Sequence, residues 1–159
     1  MTQGSEPEPR WLDATDKAAW TGIVSMIMLL PGRLESPLRR EHGLTLFEYL
    51  TLSHMSEAPE RKLRMSELAF LTNGSLSRLS NVVKRLEGRG WVRRSPDPDD
   101  GRYTVASLTD AGFEIVREAA PTHLRTVREL VLDRLGDADR EVLGRIPETL
   151  ALSFPRAGR

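Results

Sequence analysis

The segment 66–109 constrains the fold of this sequence more than any other stretch. A short helical pattern comes first, and the polar break Thr72-Asn73-Gly74 separates it from a longer helical pattern. Two alternating, strand-like runs follow at 91–95 and 103–108, joined by a loop rich in proline and aspartate. The run at 61–65 is expected to add one edge strand. Helix, turn, helix and hairpin in this order predict a winged helix-turn-helix.

The longer helix, which we expect to be capped by Ser75 and to end near Arg89, has two different faces. Its apolar residues share one face, and short polar and basic residues occupy the other. In helix-turn-helix proteins the N-terminal half of the second helix reaches base edges, where asparagine and arginine can each form two hydrogen bonds. Basic residues further along suit phosphate contacts. The predicted DNA-contacting residues are Ser75, Ser77, Arg78, Ser80, Asn81, Lys84, Arg85, Arg93, Arg94 and Arg102.

The sequence alone leaves a plainer interpretation open. A polar helix face is commonly just a solvated face, and Arg85 could pair with Glu67 or Glu87 instead of a phosphate. The loop at 96–102 raises a second conflict, because its three aspartates would repel phosphate. That conflict is removed if one aspartate holds Arg102 extended, since a hydrogen-bonded guanidinium is pre-organised for a narrow minor groove.

The composition restricts the classes of function. The chain has no net charge, yet residues 58–108 carry a net +4 between acidic flanks, and a basic centre suits a polyanionic partner. Cysteine is absent, which excludes disulfides, a thiolate metal site and a cysteine redox switch. No His/Glu pair shows metal-ligand spacing, so no metal or other cofactor is expected. The sequence has no nucleophile elbow and no glycine-rich phosphate loop, so we do not expect an enzyme.

The N-terminal part is predicted to contribute to a dimer. Residues 1–10 have no apolar segment, and residues 1–12 are expected to form a disordered tail. A helix from Asp16 then carries an apolar stripe, with further apolar residues around most of its circumference. Such a helix must be buried on more than one side, which favours a partner subunit over a central core helix of a monomer. Its longest nearly apolar run, 23–30, is too short to cross a membrane, and we expect a cytoplasmic protein.

Local signals predict where the flanking helices begin and end. Pro31 and Pro37 are expected to break or bend the first helix, and Ser36 could cap a short second helix that stops at Gly43. A capping box at 45–48 should start the next helix.

Towards the C-terminus, Thr109 should cap a helix that bends at Pro121 and stops at Gly136, and Asp137 should cap the last helix. The predicted fold class is therefore mainly α with a small β-hairpin wing, a winged helix-turn-helix with N- and C-terminal dimerisation helices. We expect a single domain at 13–152, with dimerisation helices at 13–44 and 110–152 and the winged lobe at 45–109.

Three motifs make the chain resemble the MarR-type transcriptional regulators from about residue 16 to residue 152. They are MSELA at 65–69, KRLEGRGWVRR at 84–94, and DGR followed by LTDAG between 100 and 112. The resemblance implies a homodimer whose N- and C-terminal helices interlock, with two winged lobes on a pseudo-palindromic operator. It also implies that Arg102 is the minor-groove residue of the wing and that Asp100 orients it. Many members have a Thr/Ser-Arg pair where this chain has Ser80-Asn81, so operator preference does not carry over.

The expected function is that of a sequence-specific regulator, a homodimeric repressor that occupies double-stranded DNA. The resemblance also implies a small phenolic or anionic effector that binds between the dimer helices and the DNA lobe and loosens DNA binding. Candidates for that site are Trp20, Phe47, Tyr49 and His54, although residues of these types more commonly belong to a core. The alternative function is a dimeric winged-helix protein-interaction module that does not bind DNA.

Overall fold

Helices dominate the structure, and three short strands lie between them. The computed structural model describes residues 9–151 of the 159-residue chain. The chain divides into two compact units, residues 1–33 and 34–159, and the boundary falls inside the first helix. In chain order the elements are α1 (Ala14–His42), α2 (Leu46–Glu57), β1 (Lys62–Arg64), α3 (Met65–Leu71), α4 (Leu76–Gly88), β2 (Val92–Pro96), β3 (Thr104–Leu108), α5 (Asp110–Leu130) and α6 (Asp137–Ala151).

The first unit exposes the apolar residues of α1. Trp20 is 57% exposed, Ile27 is 64% exposed and Met28 is 75% exposed. Ile23 and Val24, which belong to the same predicted stripe, are half-buried. A contiguous apolar helix surface of this kind is uncommon on a monomeric soluble protein and marks an interaction site.

The predicted break of α1 at its prolines is wrong. α1 is one helix from Ala14 to His42, and the separate helix expected to start at Ser36 does not exist. Each proline removes one backbone donor and crowds the carbonyl four residues before it. Around Pro37 other contacts compensate, because Leu38 is completely buried and the Glu35 carboxylate accepts the backbone N–H of Leu46 at 3.0 Å.

Gly43 ends α1, as the sequence predicts. Gly43 has a φ of +65°, a conformation in which an L side chain is strained. Its N–H donates to the carbonyl of Arg39 at 3.0 Å, which satisfies one of the free carbonyls at the helix end. The chain then turns directly into α2.

The predicted capping box of α2 is confirmed and has an additional partner. The backbone N–H of Glu48 donates to the Thr45 hydroxyl at 3.1 Å, and the Thr45 N–H donates to the Glu48 carboxylate at 2.9 Å. The second carboxylate oxygen accepts Arg85 Nε at 3.3 Å. Burial raises the pKa of Glu48, but the hydrogen bonds from Thr45 and Arg85 outweigh it, so this pKa lies below its ordinary value.

The wing is part of a three-stranded antiparallel sheet in the order β1-β3-β2. The predicted edge strand is confirmed, with Leu63 opposite Ala106, and Arg94 lies on the other side of Ala106. Helix α3 starts at Met65, and its N-cap is Arg64. Met65 is buried, and β1 therefore leads into α3 without an intervening capping residue.

A backbone hydrogen bond at the start of α5 connects this helix to the residue before β2. The Thr109 hydroxyl accepts the N–H of Gly112 at 3.0 Å, as the sequence predicts, and the Thr109 N–H donates to the Trp91 carbonyl at 3.0 Å. A Cβ at Gly112 would lie 2.1 Å from that carbonyl oxygen, so only glycine fits here.

The C-terminal boundaries differ from the prediction. α5 passes through Pro121 but ends at Leu130, where a 3-10 turn replaces the expected continuation to Gly136. The last helix starts one residue earlier than expected, since the N–H of Arg140 donates to the Gly136 carbonyl and Asp137 lies inside the helix. Pro147 is accommodated within α6. The limits predicted for the domain and its subregions stay a prediction.

Candidate nucleic-acid interface

Helix α4 buries an apolar face in the core and exposes a polar face. Ser75 caps the helix, as predicted, and its hydroxyl accepts the backbone N–H of Arg78 at 3.2 Å. The helix has 13 residues, or about 20 Å at 1.5 Å per residue, a length that matches the major groove. Its apolar side chains are buried at Leu79, Val82, Val83 and Leu86, and its exposed polar side chains are Ser77, Arg78, Asn81, Lys84 and Arg85.

Arg78 is held in place by an aromatic ring. Its guanidinium lies 4.1 Å from the centroid of the Phe47 ring on α2. The ring is in turn packed against the helix-turn-helix turn, since a Cβ at Gly74 would lie 2.7 Å from Phe47 Cζ. Arg78 thus has a defined position on the exposed side of α4.

Two of the predicted phosphate-contacting arginines form ion pairs within the chain. Arg85 pairs with Glu48, which is a partner that neither of the sequence-based alternatives named. Arg94 pairs with Glu87 at 2.6 Å and donates its backbone N–H to the same carboxylate at 2.9 Å. The Arg94 hydrogen bonds lower the pKa of Glu87. Arg94 Nη1 also lies 3.5 Å from the Ser80 hydroxyl, which ties β2 to α4.

Two other basic residues of this surface are exposed without such partners. Lys84 on α4 and Arg93 on β2 form no ion pair among the described residues 9–151. Both remain predicted phosphate contacts, and Asn81 on the same side of α4 is likewise exposed.

The tip of the wing carries an arginine held by a carboxylate. Arg102 Nε lies 2.9 Å from Asp100 Oδ1, and Arg102 Nη2 lies 2.6 Å from Asp100 Oδ2. The backbone N–H of Arg102 also donates to Asp100 Oδ1 at 3.2 Å. These bonds lower the pKa of Asp100, and the Arg102 side chain is still 83% exposed. An exposed guanidinium held by Asp100 therefore lies at the tip of the wing, and this is the pair that the resemblance implies.

A second aspartate of the wing loop points inward. Asp97 is buried, and its Oδ2 accepts Arg64 Nε at 2.5 Å while its Oδ1 accepts the N–H of Asp99 at 2.9 Å. The hydrogen bonds from Asp99 and Arg64 lower the pKa of Asp97. The guanidinium of Arg64 lies 4.8 Å from the Tyr103 ring, and that of Arg102 lies 5.9 Å from it. Arg64 and Asp97 thus join β1 to the wing loop.

Sequence reasoning missed this pair for a physical reason. Arg64 and Asp97 are 33 residues apart, and neither position carries a local signal for the other. The alternation of β1 indicates only that Arg64 lies on the face opposite to buried Leu63.

A cleft of about 260 Å³ connects these pieces into one surface. It lies between α3, α4 and the wing, which consists of β2, β3 and the loop that joins them. Its lining combines hydroxyl, guanidinium and apolar groups, supplied by Met65, Ser66, Leu76, Ser80, Arg94, Arg102, Tyr103 and Thr104.

Known proteins are similar to this chain in sequence and in fold. A sequence profile of the MarR family matches residues 42–102. The structure of Sco3205, a MarR family transcriptional regulator from Streptomyces coelicolor in complex with DNA, is 39% identical. It covers 96% of this chain and 95% of its own, with a TM-score of 0.88. The chain belongs to the MarR family of transcriptional regulators.

Two further relatives are also transcriptional regulators. AbsC, a further MarR family transcriptional regulator from Streptomyces coelicolor, is 36% identical over 91% of this chain and 97% of its own, with a TM-score of 0.86. The transcriptional repressor MprA of Escherichia coli (strain K12) is 23% identical over 116 residues. That alignment covers 69% of this chain and 66% of the length of MprA.

The four residues predicted for an effector site have different environments. Trp20 lies in the first unit, and Phe47 lies under Arg78. Tyr49 is 5% exposed, and its ring centroid is 4.6 Å from that of His123, so burial raises the Tyr49 pKa. His54 is half-buried. The 260 Å³ cleft is lined by none of the four, and their role in a MarR effector site stays a prediction.

His123, which sequence reasoning left aside, is the neighbour of that tyrosine. Its Nδ1 is buried and has no hydrogen-bond partner among the described residues, and burial lowers its pKa.

Residues 9–151 contain no cluster of three or more His, Cys, Asp or Glu that could hold a metal ion. Within the same range, no helix is long and apolar enough to span a membrane.

Proposed function

We propose that this chain is a homodimeric repressor that binds a pseudo-palindromic DNA operator sequence-specifically. The observation that carries the proposal is the placement of an exposed, carboxylate-held Arg102 beside the exposed polar face of α4. This surface offers a helix for the major groove and a guanidinium for the adjacent minor groove. The DNA complex of the 39% identical Sco3205 supports the same use of the fold.

The residues on this surface divide into base-reading and phosphate-contacting groups. Asn81 and Arg78 can each form two hydrogen bonds to a base edge, and Ser77 adds a hydroxyl. Lys84 and Arg93 are exposed and suited to phosphate contacts, which supply affinity without sequence information. Arg85 and Arg94 pair with carboxylates of the same chain and so also brace α4, and their phosphate contacts stay a prediction.

The homodimer is supported by the exposed apolar surface of residues 20–29 on α1. A second copy would cover this surface and place two α4 helices on successive major grooves, about 34–36 Å apart or a multiple of that distance. Repression is supported by MprA, a relative described as a transcriptional repressor. A cytoplasmic location and a small phenolic or anionic effector complete the proposal as predictions.

Fluorescence anisotropy with operator DNA tests the proposed interface. The operator is selected in vitro with the full-length protein, and affinities are compared for the wild type, Arg102→Ala and Asn81→Ala. Each substitution is expected to weaken operator binding by roughly 5- to 150-fold, the effect of losing one base-contacting side chain. The control is Arg117→Ala on α5, another exposed arginine in an ion pair, which should leave affinity unchanged.

Two results would contradict the assignment. Light scattering must show that the variants keep the oligomeric state of the wild type. If they do and neither Arg102→Ala nor Asn81→Ala alters operator affinity, the roles given to these residues are wrong. If no DNA sequence is enriched in the selection, the repressor proposal itself fails.

A further inference from the structure

Leu76 departs from the pattern that organises α4. The other apolar residues of the helix are at most 5% exposed, whereas Leu76 is 55% exposed at the first helical position. The packing of the core therefore does not account for a leucine here. An apolar side chain this exposed gains free energy only when another apolar surface covers it.

The surroundings of Leu76 place it inside the candidate interface. It lines the cleft between α4 and the wing together with Ser80, which lies one helical turn further on, and Arg102. Its side chain is thus on the side of α4 that faces the wing. With α4 in the major groove, its N-terminal turn, which carries Leu76, would lie against the base edges.

The chemistry of the major groove leaves one partner for such a side chain. Leucine has no hydrogen-bonding atoms and cannot recognise the donors and acceptors of the base edges. The only apolar group on a standard base edge there is the C5 methyl of thymine. We propose that Leu76 is a specificity-determining residue that recognises a thymine through this methyl group. The inference rests on the proposed function, because it needs α4 to lie in the major groove.

Removing single methyl groups from the operator tests the contact directly. Each thymine of the selected operator is replaced in turn by deoxyuridine, which differs from thymidine only by the absent methyl. Affinities are measured by anisotropy for the wild type, Leu76→Ala and Leu76→Met. At one symmetry-related pair of positions, the wild type should lose about fourfold in affinity per methyl, the value of burying one such group. Leu76→Ala should bind the thymine and uracil versions equally.

The two companion measurements keep the result interpretable. Leu76→Met preserves a long apolar side chain and should retain the preference for the methyl. Because Leu76 is exposed, thermal unfolding of Leu76→Ala should match that of the wild type and establish that the variant is folded.

The outcomes separate the inference from the function on which it rests. If the wild type binds its operator but Leu76→Ala keeps the same methyl dependence at every thymine, the inference is overturned and the repressor proposal stands. If the full-length protein selects no DNA sequence, the proposed function fails and the inference fails with it.

Discussion

The three aspartates of the wing loop differ in what their carboxylates do. Asp97 is buried on Arg64, Asp100 holds Arg102, and Asp99 donates its backbone N–H to Asp97. Two of the three charges are therefore compensated by arginines before DNA approaches. The composition of this loop predicts that it repels phosphate. The loop instead presents one exposed guanidinium that a carboxylate orients.

At the same scale, Glu48 links helix capping to the DNA-facing helix. Its carboxylate is 3% exposed and accepts hydrogen bonds from the Thr45 N–H and from Arg85 on α4. The pKa of Glu48 is lowered in the folded protein. The unfolded chain consequently binds a proton at a higher pH than the folded chain does. The stability contribution is complete above the unfolded pKa, about 4.3, and is lost as the pH falls through the folded value.

We therefore predict a pH-dependent effect of Glu48→Gln. At pH 7 the substitution should lower the free energy of unfolding by about 1–3 kcal/mol, because it removes charged hydrogen bonds at a buried site. The difference from the wild type should shrink below about pH 4.3, where the unfolded wild type takes up its proton. Urea unfolding between pH 3 and pH 7 measures both quantities.

Glu114→Gln is the matched control for this measurement. Its carboxylate pairs with Arg117 on the exposed surface of α5, and such pairs contribute less than about 1 kcal/mol. A Glu48→Gln effect that stayed constant from pH 7 to pH 3 would show that the carboxylate charge is not its source.

At the scale of elements, an ion pair within the chain connects the wing to the strand β1. Arg64 ends β1, and Asp97 begins the wing loop, so their ion pair joins the start of α3 to the wing. The ring of Tyr103 lies near both Arg64 and Arg102, and it links this pair to the tip. We therefore predict that Arg64 and Asp97 position Arg102.

A double-mutant cycle on Arg64→Ala and Asp97→Asn tests this role. Each single change should weaken operator binding by roughly three- to tenfold, and the double variant should lose no more than one of them, because the two residues act as a unit. A purely structural role would lower affinity for every sequence. A positioning role should also remove the preference for A/T over G/C pairs under the wing, since that preference needs an oriented Arg102.

Anisotropy with the selected operator and with a version carrying G/C pairs under the wing provides the measurement. Arg117→Ala again serves as the control arginine. Additive losses in the double variant, or an unchanged A/T preference, would show that the pair does not position the wing.

The elements that the sequence predicts well are those whose ends are set by neighbouring residues. Thr45, Ser75 and Thr109 each accept a backbone N–H three residues ahead, and all three helices begin where this chemistry requires. The mostly helical class with a small sheet follows from these signals and from the alternation of the strands.

The predictions that failed depend on residues distant in the sequence. α1 continues through its prolines, where Leu38 is buried and Glu35 bonds to Leu46. Arg85 forms a hydrogen bond with Glu48, which lies 37 residues away in the sequence. Because of this separation, the sequence alone does not identify Glu48 as its partner. In the candidate site, the polar face of α4 could be predicted from its local pattern, whereas the resemblance was needed to choose Asp100 as the aspartate that holds Arg102. The exposure of Leu76 could not be predicted, because it depends on how the other elements pack around α4.

At the scale of the whole molecule, charge and apolar surface are segregated along the chain. The basic excess lies between residues 58 and 108, which contain α4 and the wing. The apolar surface lies on residues 20–29 of α1, outside that segment. This separation suits a protein in which one surface binds a polyanion and another binds a second copy of the chain.

We predict that Ile27→Glu combined with Met28→Glu converts a dimer to a monomer. Both side chains are more than 60% exposed in the single chain, so the substitutions should not disturb its own core. In a symmetric dimer each change occurs twice, and the buried carboxylates would find no partners. Light scattering should show the mass falling from twice 17.9 kDa to 17.9 kDa.

Operator affinity should fall together with the mass, since one winged lobe alone contacts only one half-site. The loss of bivalent binding is expected to cost at least about 100-fold in affinity. Lys17→Glu, which also introduces a carboxylate on α1 but removes no apolar side chain, should leave both the mass and the affinity unchanged. If the double variant remained a dimer, the apolar surface of α1 would not be the interface. If it became a monomer with full affinity, operator binding would not require two copies, and the proposed spacing of two α4 helices would have no role in recognition.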